Sequence, residues 1–414
     1  MTVLFYECYL VLHKIYSDKT FIKQALRSPE ILEKDRAKVT KIVYGVVEKD
    51  VELEYIISRL CDKKPKNSVR IVIKIALYNI KYLNKTPFSV TDSAVALLKK
   101  MGKSANAGFV NAILRKYPLT TIEYPKNIEE NISVRYSYPL FAVKRLVKKY
   151  GAEQTEIILK GFKENTCLRF SRGVDGEKYL TEKNVKFSRT PYENVFIANG
   201  FKMDLGFDDG KYTFQSIGSV AICNDVEKGE KLLDCCSAPG GKSVYLAEKF
   251  KSVIACELHP HRVELVNSYV ERMKAGNVEV FQKDATVYDE AFLEKFDAVL
   301  CDAPCSGLGV VKDNPDIILN REENSLAEIT ELQSKILDNC CRYVKRGGFL
   351  YYSTCSIMGE ENEEIIRKFL SKHKDFVEEK FVSKLNGNIE KNGITYLPNL
   401  SEGAGFYCCK LKKL

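Results

Sequence analysis

The chain has 414 residues, 45% of them hydrophobic and 29% charged, a globular make-up that excludes a disordered or fibrous protein. No stretch nears the roughly 18 uninterrupted apolar residues of a membrane helix, and at this length about two to four domains are expected. The net charge of +9 is unevenly spread: residues 1–120 carry 22 Lys/Arg against 11 Asp/Glu, residues 121–220 carry 16 against 13, and residues 221–414 carry 26 against 31. A basic N-terminal third on a mildly acidic remainder suits a polyanion-binding module joined to a part with another task.

The N-terminal run MTVLFYECYLVLHKIYSDK is apolar but has no basic leader and includes Glu7, so a buried helix is expected rather than a signal peptide. Helical spacing continues through Asp35–Glu48, with Val39, Ile42, Val43 and Val46 on one face. It recurs in the dense run Val69–Leu83, from about Val90 to Met101, and in Gly108–Lys116. Residues 1–120 are thus predicted to be an all-helical bundle, with Tyr44 and Tyr78 in its core, and Pro118–Pro125 a linker. From Ser133 to about Phe214 the pattern turns mixed. Helices are expected over Pro139–Tyr150 and Glu153–Lys160, and short strands near Cys167–Phe170, Lys186–Ser188 and Asn194–Ile197, so residues 121–215 are read as a small α+β domain.

From residue 216 to the end, strands and helices alternate. The predicted strands are Lys231–Cys235, Ser252–Glu257, Val278–Gln282, Ala298–Cys301 and Phe349–Ser353. The predicted helices are Lys242–Phe250, Pro260–Ala275, Ser325–Lys345 and Glu360–Lys372. Such alternation builds a doubly wound, largely parallel sheet, whose ligands sit beyond the carboxyl ends of the strands.

The candidate chemistry falls at those ends. LLDCCSAPGGKS (232–243) runs from a strand through paired glycines into a helix, although it matches neither GxxxxGK[ST] nor GxGxxG, and such turns occur in many α/β proteins. Glu257 ends the next strand, where a carboxylate can accept ribose hydroxyls, although a solvent-facing loop would also put one there. Asp284 follows the third strand, in reach of an adenine amino group. Together the three suit an adenosine-bearing cofactor. Asp302, Pro304 and Cys305 follow the fourth strand, and Cys355 follows the fifth. One cysteine at a strand end is most often structural; two over one cleft point to chemistry. Cys256, Cys301, Cys408 and Cys409 lie inside apolar runs and read as core. There is no CxxC pair, and no metal site is expected from the four histidines and fourteen cysteines. Thiols in this number on a long chain suggest a reducing, cytoplasmic setting.

DCCSAPGGK, DAPCSGLG and YSTCS with the following EEN resemble the signature motifs of S-adenosylmethionine-dependent RNA cytosine-C5 methyltransferases. KDRAKVTKIVYGV, ALYNIKYL and GFVNAILRK resemble the helical RNA-binding domain of the antitermination factor NusB. The fusion is similar to the bacterial small-subunit (16S) ribosomal RNA subfamily of these enzymes. The resemblance implies a NusB-like bundle, a small linker domain and a Rossmann-like methyltransferase domain. It implies transfer of a methyl group from S-adenosyl-L-methionine to carbon 5 of a cytosine in 16S ribosomal RNA, free or in an assembly intermediate. By similarity Cys236, Ser237, Ala238, Pro239, Gly240, Gly241 and Lys242 form the cofactor loop, Glu257 holds the ribose, Arg262 supports it, and Asp284 meets the adenine. Asp302 faces the cytosine and borders the cofactor, Cys355 is the nucleophile, and Cys305, or a water it positions, releases the product. Lys242 is a further candidate for a substrate contact.

Three stretches depart from the family pattern: Phe214-Gln215-Ser216-Ile217 lacks an Asp, Lys312-Asp313-Asn314-Pro315 replaces a more basic run, and EGAGFYCCKL adds two cysteines. Two alternatives stand beside this reading. Pro304-Cys305 alone suggests Cys305 as the nucleophile, as in DNA cytosine-C5 methyltransferases. A protein that binds RNA in ribosome assembly with a degenerate methyltransferase fold would need only the basic helices. No coiled-coil seam is visible, so a monomer is expected.

Overall fold

Helical periodicity carries the first part of the chain into a bundle. In the computed structural model, which describes residues 2–414, helices run over Thr2–Asp18, Arg36–Glu48, Asp50–Leu60, Asn67–Lys81, Pro87–Lys100 and Ala107–Lys116. Helix Asn67–Lys81 is the centre, burying Val69, Ile71, Val72, Ile73, Ile75, Ala76 and Leu77. Each of the valine, isoleucine and leucine side chains contributes about 1.5–3 kcal/mol relative to exposure. Lys74 on the same helix is also buried, held by Asp50 and by Glu54 at 2.6 Å, which offsets the cost of removing an ammonium from water. Tyr78 is in the core, as its place in the pattern predicts, and Tyr44 packs against that core while only partly buried.

The Pro118–Pro125 stretch is irregular after one turn at Tyr117–Leu119, but it is pinned: the Tyr124 hydroxyl donates to Glu52 at 2.5 Å. Beyond it come three helices, Ile128–Tyr136, Leu140–Tyr150 and Ala152–Lys160, so strand structure begins only at Cys167. The first of these helices is capped by Asn127, whose side chain accepts from the Glu130 amide; the mixed reading from Ser133 missed it because its apolar face is weak. By compactness the first unit ends at Glu156 and also takes in Val311–Glu322. In that segment Asp316 is buried and accepts from the Ile22 amide at 3.2 Å, and Leu319 packs on the helical core. Among its described residues this unit has no strand.

The second unit holds Ile157–Val310 and Glu323–Leu414. Strands β1 (Cys167–Phe170), β2 (Ser188–Arg189), β3 (Val195–Ile197) and β4 (Tyr212–Phe214) form a small antiparallel sheet in the order β2-β3-β1-β4. The large sheet contains β5 (Gly229–Asp234), β6 (Phe250–Glu257), β7 (Val278–Gln282), β8 (Phe296–Asp302), β9 (Val344–Thr354), β10 (Phe376–Glu379), β11 (Asn388–Glu390), β12 (Gly393–Tyr396) and β13 (Phe406–Lys413). Its order is β11-β12-β13-β9-β8-β5-β6-β7, with β10 also on β13. The five strands β7-β6-β5-β8-β9 are parallel, as strand–helix alternation requires, and β13 inserts antiparallel beside β9.

Two predicted helices run into strands. The helix from the glycine turn covers Gly241–Leu246 and stops short of Phe250, which opens β6. Helix Glu323–Cys340 ends before Lys345 because Val344 already pairs with Phe296 in the β8–β9 ladder. Sheet pairing wins over helical propensity at both places. The order reverses at β5, between β6 and β8, and that switch point opens a crevice at the carboxyl ends.

Candidate active site

A cavity of about 400 Å³ opens at that crevice, with Cys236, Ala238, Glu257, Arg262, Asp284, Asp302, Cys305 and Cys355 among its lining residues. The loop after β5 makes its floor. Gly240 has φ +109°, a conformation that disfavours a side chain, and an added Cβ there would come within 3.3 Å of Tyr269. Ser237 anchors the loop by donating its hydroxyl and its amide to the Cys256 carbonyl, and the Ala238–Pro239 peptide is cis. Beneath it lies Asp234, fully buried, which accepts from Ser243 Oγ at 2.6 Å. Burial pushes the Asp234 carboxyl up to about 7.

Glu257 closes β6 and is almost fully buried, accepting from the His259 amide at 3.1 Å. Arg262 reaches Glu257 at 3.4 Å and donates to the Ala238 carbonyl at 3.3 Å, so it ties the acidic strand end to the glycine turn. Asp284 turns its own loop, with Oδ1 accepting from the amide and hydroxyl of Thr286.

On the other side of the cavity, Asp302 ends β8. Its Oδ2 accepts from Lys242 Nζ at 2.5 Å and its Oδ1 from Ser353 Oγ at 2.6 Å. Burial works against the Lys242 ammonium, but the charge of Asp302 and the hydrogen bond to it outweigh that and hold its pKa above the usual range. The sulfurs of Cys305 and Cys355 stand 3.0 Å apart as free thiols, and the Cys355 amide donates to the Cys305 sulfur at 3.3 Å. The hydrogen bond to Cys355, followed by burial, holds the Cys305 thiol well above its ordinary pKa. Gly309 lets the two loops meet: its amide donates to the Cys355 carbonyl, and a Cβ there would lie 2.1 Å from the Gly405 carbonyl oxygen. By contrast Cys235 and Cys256 are buried thiols pushed up to about 12, as inert core cysteines should be.

Residues 221–412 match the family model of the 16S rRNA methyltransferase RsmB/F, and residues 7–118 match that of the NusB family. The ribosomal RNA small subunit methyltransferase B of Serratia proteamaculans (strain 568) is 30% identical over 93% of this chain and 92% of its own. The chain belongs to the ribosomal RNA small subunit methyltransferase B family. The probable member from Bacillus subtilis (strain 168) is 28% identical, over 95% of this chain and 94% of its own. The crystal structure of PH0851 superposes with a TM-score of 0.83 at 24% identity, covering 100% of this chain and 98% of that one, which extends the fold likeness from end to end.

As a member of this family the protein is an S-adenosylmethionine-dependent methyltransferase of small-subunit ribosomal RNA. The cavity fits that cofactor, because its volume lies in the ordinary ligand range and Cys236 and Ala238 of the loop after β5 line it together with two carboxylates, Glu257 and Asp284, at neighbouring strand ends. All the residues singled out in the sequence gather around this crevice or in its floor loop. Sequence reasoning missed Ser353, which stands two residues before Cys355 and orients Asp302, and Asp234 under the floor. It quoted EEN but gave Glu361 no task. Glu361 is fully buried and accepts from the Ser306 amide and hydroxyl, from Ser356 Oγ and from Gln333. A carboxylate so soon after a cysteine at a strand end was the available signal. Among the described residues no group of three or more His, Cys, Asp or Glu is placed to hold a metal ion, and no helix is long and apolar enough to cross a membrane.

Proposed function

We propose that the protein methylates carbon 5 of a cytosine in 16S ribosomal RNA through a transient covalent bond between Cys355 and carbon 6 of the base. The observation that carries this reading is the pair of thiols 3.0 Å apart at the ends of adjacent strands, over the cavity that holds the cofactor residues. When bound, S-adenosylmethionine supplies an electrophilic methyl group on its sulfonium. Cys236–Lys242, Glu257, Arg262, Asp284 and Asp302 are the residues we assign to holding it.

Carbon 5 of cytosine is a poor nucleophile until a thiolate adds at carbon 6 and pushes electron density toward carbon 5 and N3. Cys355 forms that bond. The Asp302 carboxylate can accept from the exocyclic amino group, and its partner Lys242 supplies a cation where negative charge develops on the ring. Once carbon 5 carries the methyl group, its proton passes to a water held at Cys305. The carbon 6–sulfur bond then breaks, its electron pair returns to Cys355, and the Cys305 thiol hydrogen-bonds the departing sulfur as it does at rest.

A base in a duplex cannot present its face to a thiol, so the target lies in a loop or is flipped out. Residues 1–120, with their basic surplus, hold the RNA backbone in this reading, residues 121–215 connect, and residues 216–414 catalyse. We take the working form to be a cytoplasmic monomer acting on the RNA or on a small-subunit assembly intermediate.

The test is to mix the Cys305→Ala variant with unmodified 16S RNA and S-adenosylmethionine and look for a denaturation-resistant RNA–protein band. The band is expected, and it is expected to vanish when Cys355→Ala is added. A band that survives loss of Cys355 makes Cys305 or another residue the nucleophile. No band and no methyl transfer by the wild type would favour an RNA-binding scaffold.

A further inference from the structure

The turn that follows Cys355 carries a carboxylate for which the mechanism above has no use. Glu361 lies on a short helical turn, Gly359–Glu361, fully buried behind the two thiol loops. Its Oε1 accepts from the Ser306 amide at 2.7 Å and from Gln333 Nε2 at 3.1 Å. Its Oε2 accepts from Ser306 Oγ at 2.6 Å and from Ser356 Oγ at 2.5 Å. Ser306 follows Cys305 in the chain, and Ser356 follows Cys355. Gln333 also donates to the Pro304 carbonyl, and Tyr352 donates to the Glu361 carbonyl. Four donors are directed at its two oxygens, and all four are neutral, so no cation stands against the group.

We propose that Glu361 is a positioning residue: it clamps the Cys305 and Cys355 loops in register and fixes which of the two sulfurs carries the negative charge. The inference rests on the reading of Cys355 as nucleophile. Two thiols in hydrogen-bond contact titrate as a pair, and after one proton is lost the remaining one can sit on either sulfur. Anion and cation around the pair decide between the two arrangements. Glu361 acts on Cys305 and disfavours charge there, while the Lys242 ammonium acts on Cys355. Lys242 and Asp302 form an ion pair whose charges offset each other in part, so Glu361 carries most of the asymmetry, and Tyr352 and Cys301 are buried and kept protonated. Although the Cys355 amide donates to the Cys305 sulfur, these charges make Cys305 the hydrogen-bond donor of the thiol pair and Cys355 the acceptor.

Limited alkylation of the full-length protein with iodoacetamide at pH 7, mapped by mass spectrometry, reads this polarity without RNA or cofactor. Cys355 is expected to be labelled in preference to Cys305 in the wild type. In Glu361→Gln, which keeps the shape and removes the charge, the Cys355-to-Cys305 ratio should fall about tenfold, the thiolate share that one pKa unit moves. A merely structural Glu361 would loosen both loops and raise both labels together, leaving the ratio as it was, and that result overturns the proposal. So does a wild type with no preference. If Glu361→Gln does not fold, Ser306→Ala, which leaves the carboxylate charged and takes away one donor that shields it, should raise the ratio, and an unchanged or lower ratio there overturns the proposal equally. The RNA adduct of Cys305→Ala, made with Glu361 intact, tests the nucleophile assignment separately: an adduct without a ratio change refutes the clamp alone, and a ratio change without an adduct refutes the assignment alone.

Discussion

The two sides of the crevice are built in different ways. On the cofactor side the groups sit at separate strand ends, Glu257 held by the amide two residues on and Asp284 by Thr286, while Arg262 and Ser237 tie the glycine turn to the Glu257 strand. On the thiol side nothing stands alone. Asp302 is shared between Lys242 and Ser353, the cysteines touch each other, and a single carboxylate ties both their loops. A ligand that is bound and released needs separate contacts, each of modest strength. A nucleophile that must add to a ring and then leave needs its neighbours fixed to within fractions of an ångström. Lesions on the two sides should therefore differ in kind.

The largest effect is expected from Lys242→Met, which leaves the Asp302 carboxylate without its cation. The methyl-transfer kcat should fall by about 100-fold or more, with a much smaller change in cofactor affinity by calorimetry. An equal loss in both would dissolve the distinction between the sides. Glu257→Gln should do the opposite: weaken S-adenosylmethionine binding by about tenfold or somewhat more, the worth of a hydrogen bond to a charged group, while kcat at saturating cofactor stays near wild type. Smallest is Asp234→Asn, read as stability against pH. The folded-state pKa of Asp234 is raised to about 7 from an ordinary 3.8. Folding therefore favours its protonated form, and the stability this provides is full below pH 3.8 and is lost as pH rises toward 7. Thermal melts should show the wild-type Tm declining across that window relative to Asp234→Asn, by a few degrees at neutral pH. A parallel pair of curves would mean that Asp234 is ionised in the folded protein.

The cofactor side was the more legible in the sequence, because its groups are single residues at the ends of apolar runs and period and position alone place them. Val278–Gln282 came out with both bounds as observed, and Glu257 and Asp284 follow from their strands. The thiol side was legible only in part. Cys305 and Cys355 could each be put at a strand end, but contact between residues fifty apart depends on the β8–β9 register, which no local pattern encodes. Glu361 and Ser353 are ordinary polar residues until that register brings them to the sulfurs. The same reason explains the overlong helices at Phe250 and Lys345, where pairing with a distant strand overrides local preference. The weak face of Ile128–Tyr136 explains why that helix was missed, whereas the two helices after it, Leu140–Tyr150 and Ala152–Lys160, were legible from their spacing.

The excursion of Val311–Glu322 has a practical meaning for dissection. Residues up to Glu156 look like a detachable module when counted along the chain, yet their core is completed by Leu319, and the Ile22 amide is satisfied by Asp316. A fragment stopped at Glu156 exposes apolar surface and strands a buried donor. The helical unit is therefore not separable by a single cut; to be studied alone it must bring with it a peptide encoded more than 150 residues downstream.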